Sequence, residues 1–331
     1  MTPVDVDRGI FMPLYKGGGF VEVIVQTLQV LFVLLFSPLL KGIMDRFKAR
    51  AMRRIGPPIW QPYRNLYKWF HKESLWNAET TAIRSIAPVL YFAAPPIVAL
   101  LIPVLTTFPL PLAFMADMLG GGMILSAGGM MLLLAAADSG SPFTGIAVSR
   151  VRFIATLAEP LTLVILFTAA AAGHATIPYA VNQVLGGPDL LTPSHGLLVV
   201  AWILLVLAEA GRLPVDNPDS TQELSLIDPN RTFETAGTDL ALFEWGGWMK
   251  FAVLGIILVN VLATPWGLAG SLAPVAVMLA VLATALKLTL LGILVVLVEL
   301  SFAKLRLLRI AEYLTVSVAI AALAAFAMAI A

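Results

Sequence analysis

A few ionisable side chains interrupt sequence that is otherwise apolar, and they are where chemistry could occur. Lys287 lies about halfway along the apolar run 272–300, and Glu299 closes that run. Glu159 falls two turns into the run 151–173 and is followed by Pro160, which removes one backbone hydrogen bond and bends a helix. Arg152 precedes it by seven residues on the same helical face, so it is a candidate neutralising partner. Glu209 ends the run 196–210, with Arg212 one turn on. Charged groups at membrane depth cost several kcal/mol unless paired or hydrated. Two readings stay open: a buried chain of titratable groups that carries protons or places a coupling charge, or satisfied ion pairs that pin helices together.

The elements that hold these residues follow from composition. Of 331 residues, 59% are hydrophobic and 12% charged, too little polar surface to coat a soluble domain of this size. A bilayer core of ~30 Å takes roughly 20 apolar residues per helix. On that rule the chain is a single polytopic membrane domain, 1–331, all-α, with eight transmembrane helices near 21–44, 86–107, 119–137, 151–173, 196–210, 248–264, 272–300 and 310–330. A barrel would alternate with a period of two, and these Leu-, Ala- and Val-rich runs do not. Apart from Arg8, Lys16 and Lys287, every Lys and Arg then falls in or beside the connectors 45–85, 138–150, 211–247 and 301–309. That asymmetry puts the N-terminus outside and the large loops in the cytoplasm; the family resemblance described below implies the plasma (inner) membrane of a prokaryote.

Two of these connectors are long and opposite in character. In 45–85, Leu66, Trp69 and Phe70 recur at helical spacing among basic residues, the pattern of an amphipathic interfacial helix. From Glu209 to Glu244 there are eight carboxylates against Arg212 and Arg231, with apolar residues interspersed, which suits a folded lobe rather than a disordered tail. Side by side, the two form a docking surface for soluble partners. Segment 174–195, on the other side, reads as a short surface helix with a turn at Gly186-Gly-Pro188.

The chain has no cysteine, which excludes disulfides, cysteine-ligated iron–sulfur clusters and thiol catalysis within it. His71, His174 and His195 show no metal-ligand spacing. There is no phosphate loop or dinucleotide fingerprint. Membrane orientation explains the basic connector, so no nucleic-acid partner is expected.

Five segments, in order, resemble one family: Arg53-Arg-Ile-Gly-Pro-Pro-Ile-Trp-Gln-Pro-Tyr63; Asp138-Ser-Gly-Ser-Pro-Phe-Thr-Gly-Ile-Ala-Val-Ser-Arg150 with Leu157-Ala-Glu-Pro160; Glu209-Ala-Gly-Arg-Leu-Pro-Val-Asp-Asn-Pro218; Gln222-Glu-Leu-Ser-Leu226; and Gly237-Thr-Asp-Leu-Ala-Leu-Phe-Glu-Trp245. They resemble the ND1-type membrane component that complex I shares with the group 4 energy-converting [NiFe] hydrogenases, including formate hydrogenlyase. The short first connector and the Asp-Ser-Gly-Ser start of the second lie closer to the hydrogenase branch. One departure is that the family's His-Glu pair after Gln222-Glu-Leu is replaced by a stretch reading Asp228-Pro229, with Glu234 retained further on.

The resemblance implies a non-catalytic membrane subunit of an oxidoreductase complex. Such a subunit anchors a peripheral redox arm and helps couple electron transfer to proton or sodium translocation. Its implied partners are hydrogenase large and small subunits, iron–sulfur subunits, antiporter-like membrane subunits and the lipid bilayer. No cofactor is implied in this chain itself; iron–sulfur clusters and the NiFe centre belong to the partners, and a quinone is possible. By motif position, Glu159, Glu209, Arg212, Asp216, Glu223 and Glu234 become candidates for the ion path. Lys287 and Glu299 join them on the physical grounds above. Arg53, Arg54, Gln61, Tyr63, Asp138 and Arg150 are candidates for partner docking or a quinone-like loop. Two alternatives remain: the quinone-site subunit of a complex I-type dehydrogenase and a stand-alone cation transporter.

Overall fold

The computed structural model describes residues 19–75, 80–185, 192–216 and 227–330. Glu223 and the Gly186-Gly-Pro188 turn lie outside these residues. The described chain is all-helical: α1 Phe20–Ala51, α2 Gln61–Phe70, α3 Ile83–Leu101, α4 Met118–Asp138, α5 Pro142–Ala172, α6 Pro178–Leu185, α7 Pro193–Glu209, α8 Gly237–Ile256, α9 Pro274–Ser301 and α10 Leu307–Ile330. Helix α8 runs on through a π-helical turn, Ile257–Ala263. Seven of these helices are long and apolar enough to cross a membrane, and α7, also apolar, has 17 residues. Seven of the eight expected spans are therefore matched by helices of crossing length, and the eighth, 196–210, by the shorter α7.

The boundaries differ from expectation at charged ends. Helix α5 begins at Pro142 rather than near 151, and α8 at Gly237 rather than 248, so parts of two expected connectors are helix. Helix α1 has 32 residues, about 48 Å at 1.5 Å per residue, and overshoots a ~30 Å core. Hydropathy marks where lipid ends, whereas a helix continues until its backbone meets a cap or a turn. Helices α5, α6, α7 and α9 each start on a proline, whose missing N–H is no loss at a first helical position. Helix α3 stops at Leu101, short of the expected 107, and residues 102–107 are an irregular, bent segment with one isolated bridge at Thr106.

Helix α8 is the central strut, with 78% of its best apolar window buried against 33% for α9 and 28% for α10. Helix α9 shows lipid Met278, Leu282, Leu286, Leu290 and Leu297, and packs its other face on α1. Helix α10 packs on α5 and α7. Pro38 within α1 cannot bond the Leu34 carbonyl, and the Trp245 indole of α8 donates to it instead at 3.0 Å. The Tyr63 hydroxyl of α2 donates to the next carbonyl, Leu35. The expected amphipathic helix is thus α2: it buries Pro62 and Leu66, stacks Trp69 near Trp248 and Phe70 near Trp245, and exposes Arg64, Tyr67 and Lys68.

The connectors separate into two ends. At one, Ser74 and Thr238 hydroxyls lie 2.8 Å apart, Arg84 donates to the Glu234 carbonyl at 2.5 Å, and Thr81 N–H donates to Asp138 at 2.8 Å. The Leu305 N–H donates to the Pro214 carbonyl at 2.9 Å at this same end. Here the basic and acidic connectors meet. At the other end, Thr106 bridges Ala269, Met118 N–H reaches the Thr176 carbonyl and Gln183 reaches the Thr107 carbonyl. The expected surface helix at this end, α6, is tucked in, with Tyr179, Val181, Asn182 and Leu185 buried. The grouping of connectors expected from charge is the one observed. The double variant Ser74→Cys, Thr238→Cys, in this cysteine-free chain, is expected to form an intramolecular disulfide on mild oxidation, read as a reducible mobility shift. Persistent free thiols in both would place the two connectors apart.

Candidate functional site

At the charged end, α7 stops at Glu209 and the chain turns through Gly211, held at φ +56°, where a Cβ would come within 2.8 Å of the Asp228 side chain. That turn delivers three ionisable side chains to three different neighbours. Glu209 accepts from Lys250 of α8 at 2.6 Å. Arg212 donates to Glu299 of α9 at 3.1 Å and lies 5.8 Å from the centre of the Phe251 ring. Asp216, which is buried, accepts from Lys304 at 2.6 Å and from the N–H groups of Ile227 and Asp228 at 3.0 and 2.8 Å.

Glu299 is the most enclosed of these acids. Its side chain is 0% exposed, and its second oxygen accepts from Lys48 of α1 at 2.8 Å. Two cations on one carboxylate join α1, α9 and the turn after α7. Beside this junction, between α1, α3, α4, α8 and the turn after α7, lies a cavity of about 290 Å³. Its charged lining consists of Lys41, Arg212, Arg231 and Lys250 facing Glu209, Asp228 and Glu244, with the Tyr91 side chain on one wall. Asp228 pairs with Arg231 and Lys41 with Asp45. Glu244 makes no ion pair or hydrogen bond among the described residues. The chemistry this arrangement supports is the holding and exchange of protons or small ions by water and carboxylates; among the described residues no cluster of three His, Asp or Glu residues could hold a metal.

The expected site residues thus divide. Glu209, Arg212, Asp216 and Glu299 come together at the charged end. Glu234 stands exposed at this end, its carbonyl taken by Arg84. Glu159 sits on the outward face of α5, exposed, and Arg152 does not pair with it, although spacing allowed that. Lys287 lies elsewhere: it donates to the carbonyls of Thr264, at 2.6 Å, and Trp266, and to Asn260 Oδ1 at 3.4 Å, beyond the π-turn of α8. Its partners are neutral oxygens at the end of a helix, where carbonyls carry negative partial charge. Among the docking candidates, Arg53 and Arg54 are exposed just after α1, Gln61 bonds Asn65 at 2.9 Å within α2, Tyr63 reaches α1, Asp138 caps the segment before α3, and Arg150 is half-buried on α5.

Sequence reasoning missed Lys250, Lys48, Lys304 and Glu244 as site residues. The three lysines read as orientation charges. The expected start of α8 at 248 put Lys250 at the membrane edge, whereas the observed start at Gly237 puts it mid-helix. A run of helical spacing through Leu240, Phe243 and Gly247 was the available signal.

The fold and this charged end define a multi-pass membrane protein with a polar cavity between its helices. The sequence model of the family described as NADH dehydrogenase matches residues 24–330, and the chain belongs to that complex I-related family. It is similar to hydrogenase-4 component C of Escherichia coli (strain K12), 29% identical over 304 residues, covering 91% of this chain and 94% of that protein. It is also similar to formate hydrogenlyase subunit 4 of the same organism, 28% identical over 287 residues, covering 86% and 92%. A chain in the structure of the membrane-bound sulfane sulfur reductase, an archaeal respiratory membrane complex, shares the fold with a TM-score of 0.78 at 20% identity, covering 93% of this chain and 99% of that one. The resemblance seen in the motifs is therefore a membership of the complex I-related family, whose relatives named above are membrane-complex components.

Removing one partner of a buried ion pair costs about 3–5 kcal/mol. Glu299→Gln, which leaves Lys48 and Arg212 without their acid, is expected to lower the thermal unfolding midpoint of the detergent-solubilised protein well beyond Asp45→Asn, whose pair is one-third exposed. Equal shifts in the two variants would show that Glu299 does not fasten the helices.

Proposed function

We propose that this subunit anchors a peripheral redox arm at its charged end and helps couple electron transfer there to movement of a proton or sodium ion. The observation that carries this reading is the charge-lined cavity around Glu209 and Lys250, set at the same end as the basic and acidic connectors. A redox arm docked there would bring its field to bear on groups that exchange charge. Inside a protein that field is weakly screened, so a change in charge above the cavity shifts the carboxylates below it. The likeness to hydrogenase-4 and formate hydrogenlyase subunits favours a hydrogenase-type arm, with its iron–sulfur and NiFe centres in partner subunits.

Two sets of residues carry the two roles. Glu209, Arg212, Asp216 and Glu299 line or support the cavity. Arg53, Arg54, Arg64 and Lys68 present cations outward for a soluble partner. Lys287, tied to carbonyls at the opposite end, closes that end rather than opening onto the cavity.

Glu209→Gln keeps the shape of the side chain and removes its charge. In the assembled complex it is expected to reduce ion translocation per electron by about tenfold, the size of a typical coupling between sites, with subunit composition unchanged. Wild-type translocation in that variant rejects the coupling role. Reversing Arg53 and Arg54 together to Glu is expected to release the peripheral subunits, seen as a smaller assembly on native gels. An intact assembly moves the docking surface elsewhere.

A further inference from the structure

The Glu209–Lys250 pair is built unlike its neighbours. Glu299 uses both oxygens and is fully enclosed, and Asp216 is held by a lysine and two backbone amides. Glu209 and Lys250 are joined by a single hydrogen bond between side chains 18% and 16% exposed. An ammonium has three donors, and among the described residues Lys250 uses one.

The pair also stands where three cavities meet. The first is the 290 Å³ cavity open at the charged end. A second, of about 50 Å³, runs from the pair past Ala155 and Ile227 to Asp216. A third, of about 20 Å³, runs past Ser126 and Thr162 to Ile257. Ala155 and Thr162 lie one turn before and one turn after Glu159 on α5, so two cavities that contain the pair flank the turn that carries this acid. Glu159 itself has no hydrogen bond or ion pair among the described residues, and Glu209 and Lys250 are its electrostatic neighbours. Around the ammonium the other groups are Tyr91 from α3 and Arg231 from the turn after residue 227. On α4, Gly129 leaves space beside Lys250, since even a Cβ there would stand 4.0 Å from Nζ.

We propose that Lys250 is a counter-charge shared by two acids, moving between Glu209 and Glu159 and so deciding which of them is ionised. This deepens the coupling role assigned to the cavity and rests on it. One ammonium balances one carboxylate. The acid left without it takes a proton, because an unpaired carboxylate at membrane depth is costly. When the ammonium leaves Glu209 for Glu159, Glu159 loses its proton to cavity water and Glu209 gains one, so the total of charges and protons is the same before and after. The exchange moves one proton between the outward face of α5 and the cavity, and it needs the lysine as a movable cation, not as a helix tie.

The test uses the assembled complex in proteoliposomes, with reduced methyl viologen as electron donor, hydrogen evolution as the turnover and an entrapped pH dye as the translocation readout. Lys250→Met is expected to cut translocation per electron by about tenfold with turnover within about twofold, and Lys250→Arg to restore part of it. Gly129→Leu, which keeps every charge and fills the space beside the ammonium, is expected to lower the same ratio. It also serves if the methionine variant does not assemble. A normal ratio in Lys250→Met or in Gly129→Leu, alongside a collapsed ratio in Glu209→Gln, overturns the shared counter-charge alone. A normal ratio in Glu209→Gln as well overturns the cavity's coupling role.

Discussion

Glu299 is fully buried at the end of a helix that gives most of its surface to lipid, and the charged end depends on how its charge is met. In a bilayer the helices gain little by hiding apolar surface from one another, because lipid is as apolar as leucine. Packing of small residues and specific polar contacts must then decide which helices are neighbours. Lys48 from α1 and Arg212 from the turn after α7 converge on this one carboxylate. Helix α9 is thereby tied to two elements distant in sequence, and the same turn reaches α8 through Glu209 and the connector before α10 through Asp216. Eight residues, 209–216, organise the charged end.

That organisation places two kinds of acid at the charged end. Glu299 and Asp216 have their acceptor positions taken by cations and backbone amides, which hold each carboxylate in place. Glu209 and Glu244 face open volume with few partners. Each acid of the second group carries a desolvation cost that a leucine would not. Fixed pairs hold the walls of the cavity that Glu209 and Glu244 face.

The opposite end is closed by other means. Where α8 passes into a π-turn and the loop after it, side chains bond backbone carbonyls: His195 the Leu262 carbonyl at 2.6 Å, Asn182 the Asn260 carbonyl at 2.5 Å, and Lys287 those of Thr264 and Trp266. Asn260 spans across to the carbonyls of Pro103 and Val104 at 3.3 and 3.0 Å. Irregular backbone at this depth survives only where protein satisfies it. These closing contacts run from side chains to backbone carbonyls, unlike the ion pairs of the charged end.

Much of this was readable in the residues. Apolar runs of helix length gave the eight helices, the positions of Lys and Arg grouped the connectors, and Leu66, Trp69 and Phe70 marked α2, because each reflects a local rule: lipid excludes charge, and a helix shows one face. The motifs likewise led to the family. What remained for tertiary structure was the choice of partners. Arg152 and Glu159 share a helix face yet do not pair, and Arg212 passes over nearby Glu209 for Glu299, 87 residues away. Lys250 looked like a marker of orientation until the true start of α8 placed it inside the bundle. Sequence spacing fixes which residues share a face of one helix; which faces of different helices come within 3 Å is set by packing and by where the chain turns, and no local rule contains that.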